Sequence, residues 1–268
     1  MFNKTKQPIS FALALSLLLA QTSWSSQQSE KKSNQVTKRA VGSAGKLQGH
    51  VLVYHLFCND QGTRWSEQRR GNALQRLMQA CSFITTQAAR QKQQVSFAHE
   101  VGPPVDFEGR IPINHEADPI WTQQILEAIS ESSPAELVEQ LKRKHRADHV
   151  AFCLHVDKDA LSYNLASYAG VDGRFQAERA VCFTSYPDGR ATATATYAHE
   201  LLHLFGAGDL YFPYDKSEWR KQRARALFPN DIMYRVDYNL NSLTIGAYTA
   251  YRIGWRDSLS SQFTVFDD

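Results

Sequence analysis

Three runs of the chain are almost wholly apolar: His50–Phe57 (HVLVYHLF), Asp148–Val156 (DHVAFCLHV) and Glu178–Ser185 (ERAVCFTS). Short runs of this kind, rich in β-branched and aromatic residues and bounded by polar turns, predict strands. Gln94–His99 and Leu161–Tyr168 are shorter strand candidates. Between the first two, Leu74, Met78, Cys81, Ile84 and Ala88 recur every three or four residues. That period predicts a helix over about Ser66–Lys92 with one apolar stripe against a sheet. Helices are also expected near Pro119–Ser130 and Pro134–Arg146, the second opened by proline after Ser132-Ser133. Val101–Asp118, with its prolines and two glycines, is expected to be an irregular loop. A helix over Thr192–Phe205 follows the Tyr186-Pro187-Asp188-Gly189 turn, then a charged helix near Ser217–Leu227 and a closing helix near Leu243–Trp255. Strands alternating with helices define an α/β or α+β fold with a mixed sheet.

The first residues follow a different pattern. Lys4 and Lys6 precede an apolar run, Ile9–Ala20, and small residues at Ser23 and Ser25 then offer a cleavage site. Such a stretch predicts a secretory signal over 1–25 and an extracytoplasmic protein, periplasmic or secreted. The run is short for a permanent membrane span. Residues 26–48 are polar, a linker or short propeptide, which leaves 49–268 as the folded domain. The net charge is +3, and Lys4 and Lys6 supply two of those charges. A balance so close to neutral gives no reason to expect a nucleic-acid partner, nor stable membrane insertion once the signal is removed.

Candidate chemistry is concentrated in His199-Glu200-Leu201-Leu202-His203-Leu204-Phe205-Gly206-Ala207-Gly208-Asp209. Helical residues turn about 100° each, so His199 and His203 project from one face and present two imidazoles to one metal ion. Glu200, beside them, is placed to take the proton of an attacking water. Gly206 permits the left-handed backbone that ends a helix. Asp209 is then placed to swing back as a third ligand, and three protein ligands are what a catalytic Zn²⁺ site requires.

This stretch resembles the metzincin signature, a family of zinc peptidases, with aspartate where most members have a third histidine; the snapalysins share that aspartate. The resemblance covers roughly Thr192–Met233, since Asn230-Asp231-Ile232-Met233 lies where the family's methionine turn is expected. It implies a metzincin-like zincin fold, divided into an upper part at 49–205 and a mostly helical lower part at 206–268. It also implies Zn²⁺ as cofactor, His199, His203 and Asp209 as ligands, Glu200 as general base, and a protein or peptide substrate. Many members place a tyrosine two residues after the methionine. Here that position is Arg235, so an oxyanion donor stays open between Tyr234, Tyr238 and Arg235.

Other features have plainer readings. His50, His55, His99, His115, His145, His149 and His155 belong to no ligand motif and are taken as structural. Arg220, Lys221, Arg223 and Arg225 form a solvated basic face. Cys58, Cys81, Cys153 and Cys182 allow local pairs, Cys58 with Cys81 and Cys153 with Cys182, or four buried thiols. Two functions compete with the peptidase: a non-catalytic, zinc-stabilised binding protein, and a zinc amidase acting on cell-wall material. The intact Glu200 counts against the first, because a glutamate beside the ligands is not needed merely to hold a metal.

Overall fold

Three of the apolar runs form the centre of one sheet in the computed structural model, which describes residues 42–113, 120–165, 177–211 and 218–266. The strands are β1 (Gly49–Asn59), β2 (Val95–Val101), β3 (Val105–Asp106), β4 (His149–Asp159), β5 (Tyr163–Leu165) and β6 (Arg179–Ser185). Their order is β2-β1-β4-β6-β5, with β3 also pairing to β1. Every pairing is parallel except β5 with β6, which is antiparallel and ends the sheet.

A parallel sheet requires crossover connections, and these cover both of its faces with helices. In β1, Val51 and Val53 point to one face, into a core shared with α1 (Glu67–Arg90) and α4 (Thr194–Leu204). Leu52, Tyr54 and Leu56 point to the other, against α2 (Ile120–Ile129) and α3 (Pro134–His145). Coverage on both sides is why β1, β4 and β6 are apolar at nearly every position instead of at alternate ones. After α4 the chain adds α5 (Glu218–Leu227), α6 (Ala247–Arg252) and two short 3₁₀ turns. Phe228, Ile232, Met233, Ile245, Tyr248 and Trp255 from this part join the α1/α4 core.

Local capping agrees with the sequence for α1 and α3. Ser66 Oγ accepts from Arg69 N, and Ser133 Oγ accepts from Glu136 N with Pro134 opening α3. The N-terminus of α4 lacks a side-chain cap of its own. Tyr186, from the preceding turn, takes that role: its hydroxyl accepts from Ala193 N at 3.2 Å and pairs with Thr196 Oγ1 at 2.7 Å. A helix opening on threonines, which favour helix weakly, is thus held by its surroundings.

Several expectations are corrected. The closing helix is only Ala247–Arg252, with Leu240–Ser242 in a 3₁₀ turn and Leu243–Gly246 between them. Strand β5 begins at Tyr163, not Leu161, and is described to Leu165; the rest of its expected span, 166–168, lies outside the described residues. The 101–118 stretch carries a two-residue strand, β3, with residues 114–119 outside the description. The polar segment does not run to residue 48. Ala44 and Leu47 are fully buried, Leu47 N donates to Ile253 O at 3.0 Å, and Trp255 Nε1 donates to Leu47 O at 2.6 Å. Two apolar residues in a polar stretch carry no period, so the sequence held no sign of this anchoring. The expected signal at 1–25 lies outside the described residues. No helix among the described residues is long and apolar enough to cross a membrane.

All four cysteines are free and buried. Cys58 faces the α2/α3 core and Cys81 the α1/α4 core, so the sheet separates the proposed pair. Cys153 and Cys182 do share a face, as hydrogen-bonded thiols on neighbouring strands. Burial pushes the thiols of Cys58 and Cys81 far above their ordinary pKa, which keeps them protonated.

Candidate metal centre

Helix α4 is buried on nearly every side, and His199, Glu200 and His203 lie on it at 2%, 6% and 6% exposure. Buried polar side chains need partners. Each imidazole finds one through Nδ1: His199 donates to Ile232 O at 3.0 Å, and His203 donates to Ala207 O at 2.8 Å. Those bonds commit the Nδ1 protons and turn both Nε2 atoms the same way, 3.0 Å apart.

The third group arrives through the turn that ends α4. Gly206 adopts φ 99°, in the left-handed region that favours glycine, and its N–H returns to His203 O at 2.9 Å. Ala207 N donates to Leu202 O, and Leu210 N donates to Met233 O at 2.9 Å, which fixes both ends of the 207–210 loop. Asp209 Oδ1 thereby stands 3.0 Å from His199 Nε2 and 3.3 Å from His203 Nε2.

Three electron-pair donors converging on one point repel one another unless a cation or a proton lies between them. Ligands about 2.1 Å from a tetrahedral zinc stand about 3.4 Å from each other, a few tenths of an ångström beyond the separations observed. The electrostatics agree. Burial would lower the pKa of His199, but its hydrogen bond to Asp209 and the nearby Glu200 carboxylate outweigh burial and raise it to about 9. Burial likewise opposes ionisation of Asp209, and the two imidazoles overcome it and hold the carboxyl well below its usual range. The donor set fits a divalent metal of the zinc type, two imidazoles and one carboxylate. Among the described residues it is the one group of His, Cys, Asp and Glu side chains arranged to hold a metal.

Beneath the ligands runs the 230–235 turn. Met233 is fully buried, and Ile232 supplies the carbonyl that orients His199. Asp231 holds the turn in shape: it accepts from Met233 N at 2.8 Å and from Gly246 N and Thr249 Oγ1, each at 2.9 Å. Gly246 is required by this packing, since a Cβ there would lie 2.6 Å from Asp231 Oδ2. Burial raises the pKa of Asp231 to about 6, against the pull of its three donors.

The candidates for an oxyanion donor separate. Tyr238 is engaged elsewhere, its hydroxyl donating to Ala191 O at 3.4 Å and its ring beside Tyr186. Arg235 is spent on Asp237 and Ser242 at the surface. Tyr234 is half-buried against the α1/α4 core. The aromatic that does reach the site was not singled out from the sequence: Tyr211, two residues after Asp209, has its ring centroid 5.9 Å from that of His199. Its place directly after the ligand motif was the available signal. Asn164 was also missed. It comes from β5 and donates from Nδ2 to Glu200 Oε2 at 3.2 Å.

The remaining histidines are not all isolated. His55, His99 and His155, on neighbouring strands β1, β2 and β4, form a hydrogen-bonded row: His55 Nδ1 lies 3.1 Å from His155 Nε2, and His55 Nε2 lies 3.0 Å from His99 Nδ1. His115 lies outside the described residues.

No protein-family model matches the chain, and no curated protein matches it. Among solved structures it is similar to metalloproteinase-II from Bacteroides fragilis, with 15% identity and a TM-score of 0.43. The match covers 81% of this chain and 57% of that one, so this chain spans little more than half of its length. At that level of similarity the reading of the site stands on its own geometry.

Proposed function

We propose that the protein is an exported zinc-dependent endopeptidase, with His199, His203 and Asp209 as metal ligands and Glu200 as general base. The observation that carries this reading is the convergence of two oriented Nε2 atoms and one carboxylate oxygen beside a buried glutamate. Zn²⁺ held by these three side chains supplies a Lewis acid that polarises a peptide carbonyl and favours water as a nucleophile near neutral pH. Glu200 takes the proton of the attacking water as its oxygen bonds to the carbonyl carbon. It then passes that proton to the amine nitrogen as the C–N bond breaks. The carbonyls of Ile232 and Ala207 keep the imidazoles in the tautomer that frees Nε2. Substrate in extended form would pair with the outer edge of β5, the last strand of the sheet among the described residues.

The N-terminal signal pattern supports export, and the sheet edge beside the site supports a peptide substrate over a compact small molecule. A second reading, a binding protein in which the metal only stabilises the fold, draws support from Tyr238 and Arg235, both engaged away from the site. A zinc amidase on cell-wall material would use the same residues. Glu200→Gln separates catalysis from binding: the endopeptidase reading expects retained zinc and at least a hundredfold loss of peptide hydrolysis, the scale of a general base. Undiminished hydrolysis by that variant, fully zinc-loaded, would refute the role of Glu200. Cleavage of peptidoglycan fragments but not of unfolded protein would move the assignment to the amidase.

A further inference from the structure

Glu200 is a buried carboxylate, and its hydrogen-bond partner comes from the edge of the sheet. Asn164 is the middle residue of β5 and pairs with Ala180 of β6. That register turns its side chain to the face covered by α4, opposite a residue with only a methyl group. There Nδ2 donates to Glu200 Oε2 at 3.2 Å. Asparagine is disfavoured in strands, and the residues on either side, Tyr163 and Leu165, are the kind strands favour. A residue that breaks the local rule where the chemistry lies calls for a reason beyond packing.

Resting on the endopeptidase reading above, we infer that Asn164 is a positioning residue for Glu200. The last torsion of a glutamate is broad, so an unheld carboxylate samples many orientations of its plane. One hydrogen bond to Oε2 fixes that plane and leaves Oε1 for the attacking water. The donor's chemistry matters as much as its place. Lysine or arginine at this position would lock Glu200 in an ion pair, and an apolar residue would leave the buried oxygen without a partner. A neutral amide satisfies that oxygen without setting a second charge beside it. Because β5 is also the strand on which an extended peptide would pair, the same short segment sets both the substrate's path and the orientation of the base.

The test uses the full chain, zinc-loaded, with internally quenched peptides as substrate. Asn164→Ala is expected to lower kcat roughly ten- to a hundredfold with KM within about twofold, the signature of lost orientation at the reacting centre. Asn164→Asp, equal in shape but setting a second carboxylate against the first, is expected to lose more. Zinc content stays at the parent's value in the alanine variant. Placed on Glu200→Gln, Asn164→Ala should add no further loss, because the group it orients is gone. The inference is overturned, with the peptidase reading intact, by an Asn164→Ala kcat within twofold of the parent. Loss of zinc from that variant, or an equal further loss on the Glu200→Gln background, overturns it in the same way. A parent without Glu200-dependent turnover overturns the endopeptidase reading, and this inference with it.

Discussion

The protein buries two groups of histidines on the same side of its sheet, and they behave in opposite ways. At the candidate metal centre, two imidazoles and a carboxylate meet at one point, and His199 is raised to about 9. In the row formed by His55, His99 and His155, each ring hands on to the next in a line. There is no carboxylate in that line, and burial pushes His155 down to about 3. His55 is lowered by burial and then by its two neighbours, and His99 by burial. His155 Nδ1 has no hydrogen-bond partner among the described residues. Histidine at similar burial can therefore be a site for a cation or a neutral part of the core. What decides is whether its ring nitrogens converge with an acid or are spent on one another.

The largest expected effect separates the two groups by metal. Asp209→Ala should weaken zinc binding by more than about a hundredfold, since even outer partners of metal ligands are worth ten- to a hundredfold. His155→Leu should leave zinc affinity unchanged. Competition titration against a chromogenic chelator checks both, and equal affinity in parent and Asp209→Ala would remove Asp209 from the ligand set.

A smaller effect follows from the raised pKa at the first group. His199 holds a proton at any pH below about 9 in the metal-free protein, and zinc must displace it. Apparent affinity should thus rise with pH, by about tenfold per unit up to roughly pH 9. A flat profile between pH 6 and 8 would contradict the strong coupling of His199 to Asp209.

The smallest effect belongs to the second group and has the opposite sense. His155 stays neutral in the folded protein down to about pH 3, while an unfolded histidine takes up its proton near 6.5. Its contribution to stability is complete above about pH 6.5 and is lost as the pH falls below that, by up to about 1.4 kcal/mol per unit. Denaturant titrations at pH 7 and pH 5 should show the metal-free parent losing about 1–2 kcal/mol more than His155→Leu on acidification. Equal losses would mean that the row does not resist protonation.

Much of the fold was legible because the sheet is covered on both faces. The runs HVLVYHLF and DHVAFCLHV are unbroken for that reason; the stripe of α1 was legible only in part, since Cys81, Ile84 and Ala88 are buried as expected but Met78 is 53% exposed and the buried line continues through Leu77 and Ala73 instead. The candidate ligands were legible because helical spacing and one glycine define their geometry within eleven residues of chain. What the sequence did not disclose lies between segments far apart in the chain. The His55–His155 pair joins strands 100 residues apart, and the Asn164–Glu200 bond joins a three-residue strand to a helix. The capping of α4 by Tyr186 likewise depends on how the 186–189 turn packs. One error was avoidable. Strand parity turns Cys58 with Leu56 away from the face that α1 covers, and this alone argues against a bond to Cys81.

The most direct test of the metal centre is an anomalous diffraction map at the zinc absorption edge, recorded from crystals of the purified chain. The account predicts one peak, within about 2.0–2.2 Å of His199 Nε2, His203 Nε2 and an Asp209 carboxylate oxygen. A zinc peak on the His55–His99–His155 row, or a peak on the two α4 histidines with Asp209 turned away, would contradict it.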